Sequence, residues 1–361
     1  MRNSLFGLLL LALPGSAQEL EVHFIGLETH GESILVRTPH GRRVLIDAGL
    51  PQGGPEVVSY LRERSIAELD LIVSTHDDPD HFGGIPEVLE ALPAARFWES
   101  PVRANGFRSA FRPALEQALA QRRVPREEVW RGAKLALEEG LTLEVLAPIP
   151  PWFTTPRKDA PNADSLVIRL THGRTRLLLM GDATRETERR LLEQGTDLAC
   201  DVLKVGHHGI DGSTTAELLS AAKPRVAVIC CAPGSPSVPS PAVLARLEAA
   251  GAAWYRTDRN GTIVLRSTGD PERLSIEPSR GAADELGPSP FPGVGALLRR
   301  YAQLPTYRPP AGRYVGQLGQ PFYHRRTCPS RLLIPGRQLL TFVSEREATE
   351  VGRRRCPVCR P

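Results

Sequence analysis

Residues 74–84, Ser-Thr-His-Asp-Asp-Pro-Asp-His-Phe-Gly-Gly, constrain this chain more than any other stretch. They follow the apolar run at 69–73, which reads as a buried strand, and put two histidines and three aspartates within six positions. Imidazoles and carboxylates at the end of a buried strand are unfavourable unless something pairs with them. The loop throws His76, Asp78, Asp80 and His81 toward one cleft at i, i+2, i+4 and i+5. Mixed ligands at that density suit one or two divalent cations. Gly83 and Gly84 permit close backbone approach behind them.

Around this loop, from residue 20 to 280, short apolar runs alternate with helix-like segments. ELEVHFIG, SILVRTP and RRVLIDAG read as three strands joined by tight turns. PEVVSYLRERS reads as a helix, and DSLVIRLTHGRTRLLLMGD as a hairpin turning at His172-Gly173-Arg174. Next come a helix at 185–194, strand CDVLKVG, helix TAELLSAAK, strand RVAVICCA, helix PAVLARLEAAG, and strands AAWYRT and GTIVLRS. Meander strands followed by strand–helix alternation predict an α/β fold with two sheets and helices outside. Cys200, Cys230 and Cys231 fall in apolar runs as buried thiols, and the adjacent pair should point to opposite faces of its strand.

The N-terminus, MRNSLFGLLLLALPGSA, has one positive charge, a nine-residue apolar run and small residues before position 18. That is the pattern of a cleavable secretory signal over 1–17. The run is far short of the ~20 residues a spanning helix needs. A periplasmic or extracellular protein with no membrane span after cleavage is the expectation.

The ordered motifs resemble the metallo-β-lactamase fold family of hydrolases, whose signature is His-x-His-x-Asp-His. Asp78 stands here at the second histidine, and that variant resembles the soluble domain of ComEC-type DNA-uptake competence proteins. LIDAG with Asp47, PNADSLVIRL with Asn162 and Ser165, LLLMGD with Asp182, and LKVGHHG with His207 and His208 agree in order. The resemblance implies an αββα sandwich over 18–280. It implies one metal held by His76, with Asp78 as a further candidate, and a second held by Asp80, His81 and His207, with Asp182 bridging. It also implies a water between the metals acidified to a hydroxide nucleophile, with Asp80 and Asp182 as its catalytic carboxylates.

Asp47 is expected to orient the metal loop, with Asn162 and Ser165 also behind the ligands. Asn162 stands where the family offers a histidine, and the His-Pro pair usual after the strand matching VAVICCA is absent from PGSPSVPSP. Two roles are open to Lys204, a contact to phosphate or an exposed strand lysine. Two are open to His208, a proton donor or the neighbour of a ligand. His23, His30 and His40 read as isolated strand or surface residues. An oxygen-rich set favours Mn²⁺ or Mg²⁺ over Zn²⁺.

Residues 281–312 are rich in proline and glycine and read as a linker. From 313 to 361 a compact unit carries His324-x₃-Cys328 and Cys356-x₂-Cys359, the ligands of one structural Zn²⁺. A disulfide is the alternative, but three cysteines leave one over whereas His324 completes four. This unit resembles the zinc-binding module of Ada-type DNA-repair proteins, which implies DNA as a partner. Charge agrees. Residues 288–361 carry 13 Arg and no Lys against 3 Glu, a net of +10, which leaves −6 elsewhere in a chain of net +4. Seven Phe or Tyr lie among these arginines, a mixture suited to phosphate contact and base stacking.

The sequence therefore predicts an exported metal-dependent phosphodiesterase or nuclease acting on DNA. Hydrolysis of a small phosphodiester or lactone, and an inactive DNA-binding adaptor, are the alternatives. Protein partners are not legible.

Overall fold

The structure is a computed structural model that describes residues 19–103, 108–153, 160–235 and 238–280, and the strands at 314–317, 322–325, 339–342 and 354–355. The signal segment and Cys328, Cys356 and Cys359 lie outside the described residues, and of His324 only its strand position is described.

The first strands are β1 (Leu20–Phe24), β2 (Ile34–Arg37), β3 (Arg43–Ile46), β4 (Leu71–Ser74), β5 (Phe97–Glu99) and β6 (Arg126–Glu128). There follow β7 (Lys134–Glu138), β8 (Leu141–Ala147), β9 (Val167–His172), β10 (Thr175–Leu179), β11 (Val202–Lys204) and β12 (Val226–Ile229). The last of the larger unit are β13 (Ala253–Arg256), β14 (Ile263–Ser267) and β15 (Ser275–Pro278). They form one sheet in the order β15-β14-β1-β2-β3-β4-β5-β6 and another in the order β13-β12-β11-β10-β9-β8-β7.

Alternation along these strands decides what faces what. Val22, Ile34, Val36, Val44, Ile46 and Val73 of the first sheet meet Leu143, Val145, Ile168, Leu170, Leu177, Val202 and Val228 of the second in one buried core. The opposite face of the first sheet, with Leu35, Leu45 and Ile72, is covered by Val57, Leu61, Val88, Leu89 and Leu115 from three helices. On the outer face of the second sheet, Leu178, Leu203 and Ala227 are covered by Leu191, Leu218, Leu219, Val243 and Leu247. The fold is thus αββα, as expected. Each near-continuous apolar strand is buried on both faces, the signature of a covered sheet.

Cys230 packs into the core between the sheets and Cys231 into the outer layer, and both are free thiols. The hairpin forms with Thr175 opposite His172. Elements within 97–147 escaped the periodicity. Strands β5 and β6 are three residues each, and β6 is exposed throughout, so it carries no apolar pattern. No helix among the described residues is long and apolar enough to cross a membrane.

The chain divides into two units, Met1–Val294 and Gly295–Pro361. In the second, β16 (Tyr314–Gln317), β17 (Phe322–Arg325), β18 (Leu339–Phe342) and β19 (Arg354–Arg355) make a sheet in the order β18-β16-β17-β19. There His324 is in register with Val315.

Strands β3 and β4 run parallel, as do β10, β11 and β12. Asp47, His76, Asp182, His208 and Cys230 all follow the carboxyl ends of these strands. That end of parallel strands is where open α/β sheets place their ligands.

Candidate metal centre

The metal loop leaves β4 and enters the four-residue helical turn Pro79–Phe82. It is pinned against the turn after β3: Ala48 N–H donates to His81 O (2.7 Å) and Gly84 N–H to Gly49 O (2.9 Å). A Cβ on Gly84 would collide with the Ala48 carbonyl, so glycine is needed for this approach. Asp47, fully buried and at φ 58°, accepts the Thr75 N–H (2.8 Å) and the Thr75 hydroxyl (2.6 Å). It also accepts His81 Nδ1–H at 2.7 Å. A carboxylate only accepts, so the neutral His81 ring carries its proton on Nδ1 and turns the Nε2 lone pair into the pocket.

His208 is built the same way. Its Nδ1–H donates to the Cys230 carbonyl (2.8 Å), which leaves Nε2 facing inward. The two Nε2 atoms are 3.3 Å apart. His81 Nε2 lies 3.2 Å from Asp182 Oδ1, and His208 Nε2 lies 3.3 Å from Asp80 Oδ2 and 3.6 Å from Asp182 Oδ2. Lone pairs and carboxylate oxygens converging in a buried space repel one another unless a positive charge sits among them. Glu32, His81, Asp182 and His208 offer ligand atoms all within 4.8 Å of one another. His76 Nε2, buried without a hydrogen-bond partner, lies 3.8 Å from Asp182 Oδ2. Imidazoles anchored through Nδ1 to a carboxylate or carbonyl, with Nε2 turned inward, are how proteins prepare metal ligands. The residues fit a divalent cation.

The electrostatics carry the same demand. Burial works against ionising Asp182, yet the imidazoles of His208, His81 and His207 hold its carboxyl well below the usual range. Burial likewise opposes a charge on His81, but Asp182 and Asp47 push its pKa well above the ordinary value. His76, dominated by burial, goes the other way and stays neutral. Asp182 thus holds positive charge beside it, which a proton on His81 supplies and a bound cation would replace.

Several expected residues take different places. The sequence put His207 with Asp80 and His81; the structure puts His208 there instead. Both sit in left-handed backbone, at φ 48° and 54°, and their rings diverge to centroids 6.3 Å apart. His207 Nε2 instead lies beside Asn162 Nδ2 (3.1 Å) and 3.6 Å from Asp182 Oδ2, with its side chain 22% exposed. Asn162 Nδ2 also reaches Asp182 Oδ2 at 3.4 Å. Ser165 Oγ accepts the Asp182 N–H (3.2 Å) and so fixes the backbone of that aspartate. Asp78 starts the helical turn, its carbonyl accepting His81 N–H (2.9 Å), and belongs to neither ligand set.

The phosphate role for Lys204 does not survive, nor does its exposed alternative. The side chain is fully buried, pairs with the buried Glu32, and donates to Gly181 O (3.0 Å). Lys204→Met strands the Glu32 charge and should destabilise the fold by about 3–5 kcal/mol. Urea unfolding measures this, and Glu32→Gln added to Lys204→Met should recover much of it. Sequence reasoning missed Glu32, His30, the Thr75 hydroxyl and the Cys230 carbonyl. The only signal for the first two was the tripeptide His30-Gly31-Glu32, two polar side chains about a glycine.

Asp47→Asn tests the orienting role. Asparagine tolerates the left-handed backbone, but the charge that holds His81 Nδ1–H is gone. Metal affinity should fall about 10-fold or more in chelator competition, with little change in the unfolding midpoint of the metal-free protein.

The family model described as the metallo-beta-lactamase superfamily matches residues 28–232. The chain is 31% identical over 295 residues to ComE operon protein 3 of Bacillus subtilis (strain 168), covering 76% of this chain and 37% of that protein. It is 30% identical over 247 residues to Recombination protein 2 of Haemophilus influenzae, covering 67% and 28%. Competence protein ComA of Neisseria gonorrhoeae is 30% identical over 242 residues, covering 64% and 30%. The chain thus spans little more than a third, or less, of the length of these relatives. Among solved structures, the metallo-beta-lactamase fold protein YhfI of Bacillus subtilis aligns over 69% of this chain and 100% of its own, at 11% identity and a TM-score of 0.46. With the family match spanning the loop, Asp182 and the paired histidines, and with those side chains gathered at one end of an αββα sandwich, the chain belongs to the metallo-beta-lactamase superfamily.

Proposed function

We propose that this protein is an exported, metal-dependent phosphodiesterase that cuts DNA. The observation that carries the reading is the convergence of His81 Nε2 and His208 Nε2 with Asp182 and Asp80 in one buried pocket. A divalent cation held there supplies Lewis acidity toward a phosphoryl oxygen and acidifies a water. Asp47 and the Cys230 carbonyl keep both imidazoles turned inward. Ser165 and Asn162 steady Asp182 from behind. His207 is the more exposed histidine of the pair and borders Asp182, which places it to exchange a proton with a leaving oxygen.

DNA as substrate is supported by two things. The matched relative of Neisseria gonorrhoeae is named as a competence protein and that of Haemophilus influenzae as a recombination protein. The arginine-rich stretch 288–361, net +10, would bring a polyanion to a body of net −6. In this reading, 1–17 is an export leader, 281–312 a linker, and 313–361 a module that holds one structural Zn²⁺ through His324, Cys328, Cys356 and Cys359 and contacts DNA. Asn162 in the place of a family histidine favours a second reading, a DNA-binding adaptor without turnover.

The test is cleavage of single- and double-stranded DNA by the mature protein with Mn²⁺, Mg²⁺ or Zn²⁺ added. Metal-dependent cleavage supports the nuclease. Tight binding without cleavage under any of the three metals supports the adaptor.

A further inference from the structure

The loop from β1 to β2 brings a second ligand set to the pocket mouth. Gly31, at φ 135°, runs so close to the metal loop that a Cβ would collide with the Asp80 carbonyl. On its far side Glu32 N–H donates to Asp80 O (3.1 Å), and Gly49 N–H donates to Glu32 O (2.8 Å). This clamp sets His30 directly over Asp80. His30 Nε2 lies 3.2 Å from Asp80 Oδ2, and its ring centroid is 4.7 Å from that of His208. His30, Asp80 and His208 each offer a ligand atom within 4.8 Å of the others.

We propose that His30, Asp80 and His208 hold a cation at the mouth of the pocket, with His30 as the ligand supplied by the β1–β2 loop; the single inward nitrogen of His208 serves this cation, which leaves Glu32, His81 and Asp182 to a separate one deeper in. The inference rests on the metal-dependent reading above and adds to it a residue that no motif marks. His208 Nδ1–H is held by Cys230 O, so Nε2 is the atom aimed at Asp80 Oδ2, 3.3 Å away. A cation between these two atoms binds both in the place of the proton they otherwise share. The His30 side chain is 40% exposed, so water can complete the shell on the outer side, as catalytic sites with an open position require. Two imidazoles and one carboxylate select a borderline first-row ion such as Zn²⁺ over Mg²⁺.

The full chain, its His30→Ala and His30→Asp variants, and the double variant His81→Ala/Asp182→Asn are dialysed against Zn²⁺ and their bound zinc counted. Zinc held by the C-terminal cysteines is common to all four and cancels in the differences. His30→Ala should lose one equivalent, or hold it at least 10-fold more weakly, with its chelator-treated unfolding midpoint unchanged; His30→Asp should restore much of the loss. Wild-type zinc content and affinity in His30→Ala overturns the proposal while leaving the metal-dependent reading intact. Wild-type zinc content in the double variant overturns that reading itself.

Discussion

Asp182→Asn is expected to lower DNA cleavage by more than about 10³-fold, some 4 kcal/mol of barrier, while the protein remains folded. The carboxylate is almost wholly buried at the centre of the site, with His76, His81, His207 and His208 all within 3.8 Å of its oxygens. Asparagine keeps the volume and the Ser165 contact, which is made by the backbone N–H. It removes the charge that balances a cation and puts an N–H among imidazoles whose lone pairs need a positive partner. Steady-state cleavage of a labelled oligonucleotide beside far-ultraviolet circular dichroism checks both halves. A folded Asp182→Asn protein that cuts DNA at the wild-type rate would remove this site from the chemistry.

Deleting residues 281–361 should separate binding from turnover. The segment removed contains the stretch of net +10, and the remaining body is acidic. Affinity for DNA follows the phosphates neutralised: six to ten contacts lose about 10³–10⁵ in affinity between 50 and 200 mM salt. The full chain should show that steep dependence, and the truncated chain should bind DNA weakly with a shallow one. Turnover of a small chromogenic phosphodiester should be unchanged, because that substrate needs no tether. Equal cleavage of DNA by both proteins at every salt concentration would discard the tethering role.

The fold was legible where burial writes itself into local pattern. The runs around Leu35, Ile72, Leu178 and Leu203 are apolar on both faces because each strand lies between a core and a helix layer. Such runs are visible without any knowledge of partners. The exposed β6 and the short β5 left no such trace, since an edge strand of three residues is defined by hydrogen bonds to its neighbour. The ligand loop was legible for a different reason: five ionisable side chains in six positions have few structural uses.

What the sequence determined by itself was therefore the strand–helix order, the charge division, and the identity of His76, Asp80, His81 and Asp182 as candidates. Which of two adjacent histidines enters the pocket was decided by backbone dihedrals at 207 and 208, and no composition or spacing encodes that choice. The placement of Lys204 was decided by a buried partner 172 positions away in the chain. His30 looked like a surface residue because its neighbours in sequence say nothing of Asp80 and His208, which reach it only once both sheets are assembled. Local pattern records what a residue needs from solvent; the tertiary structure alone records which distant groups meet it.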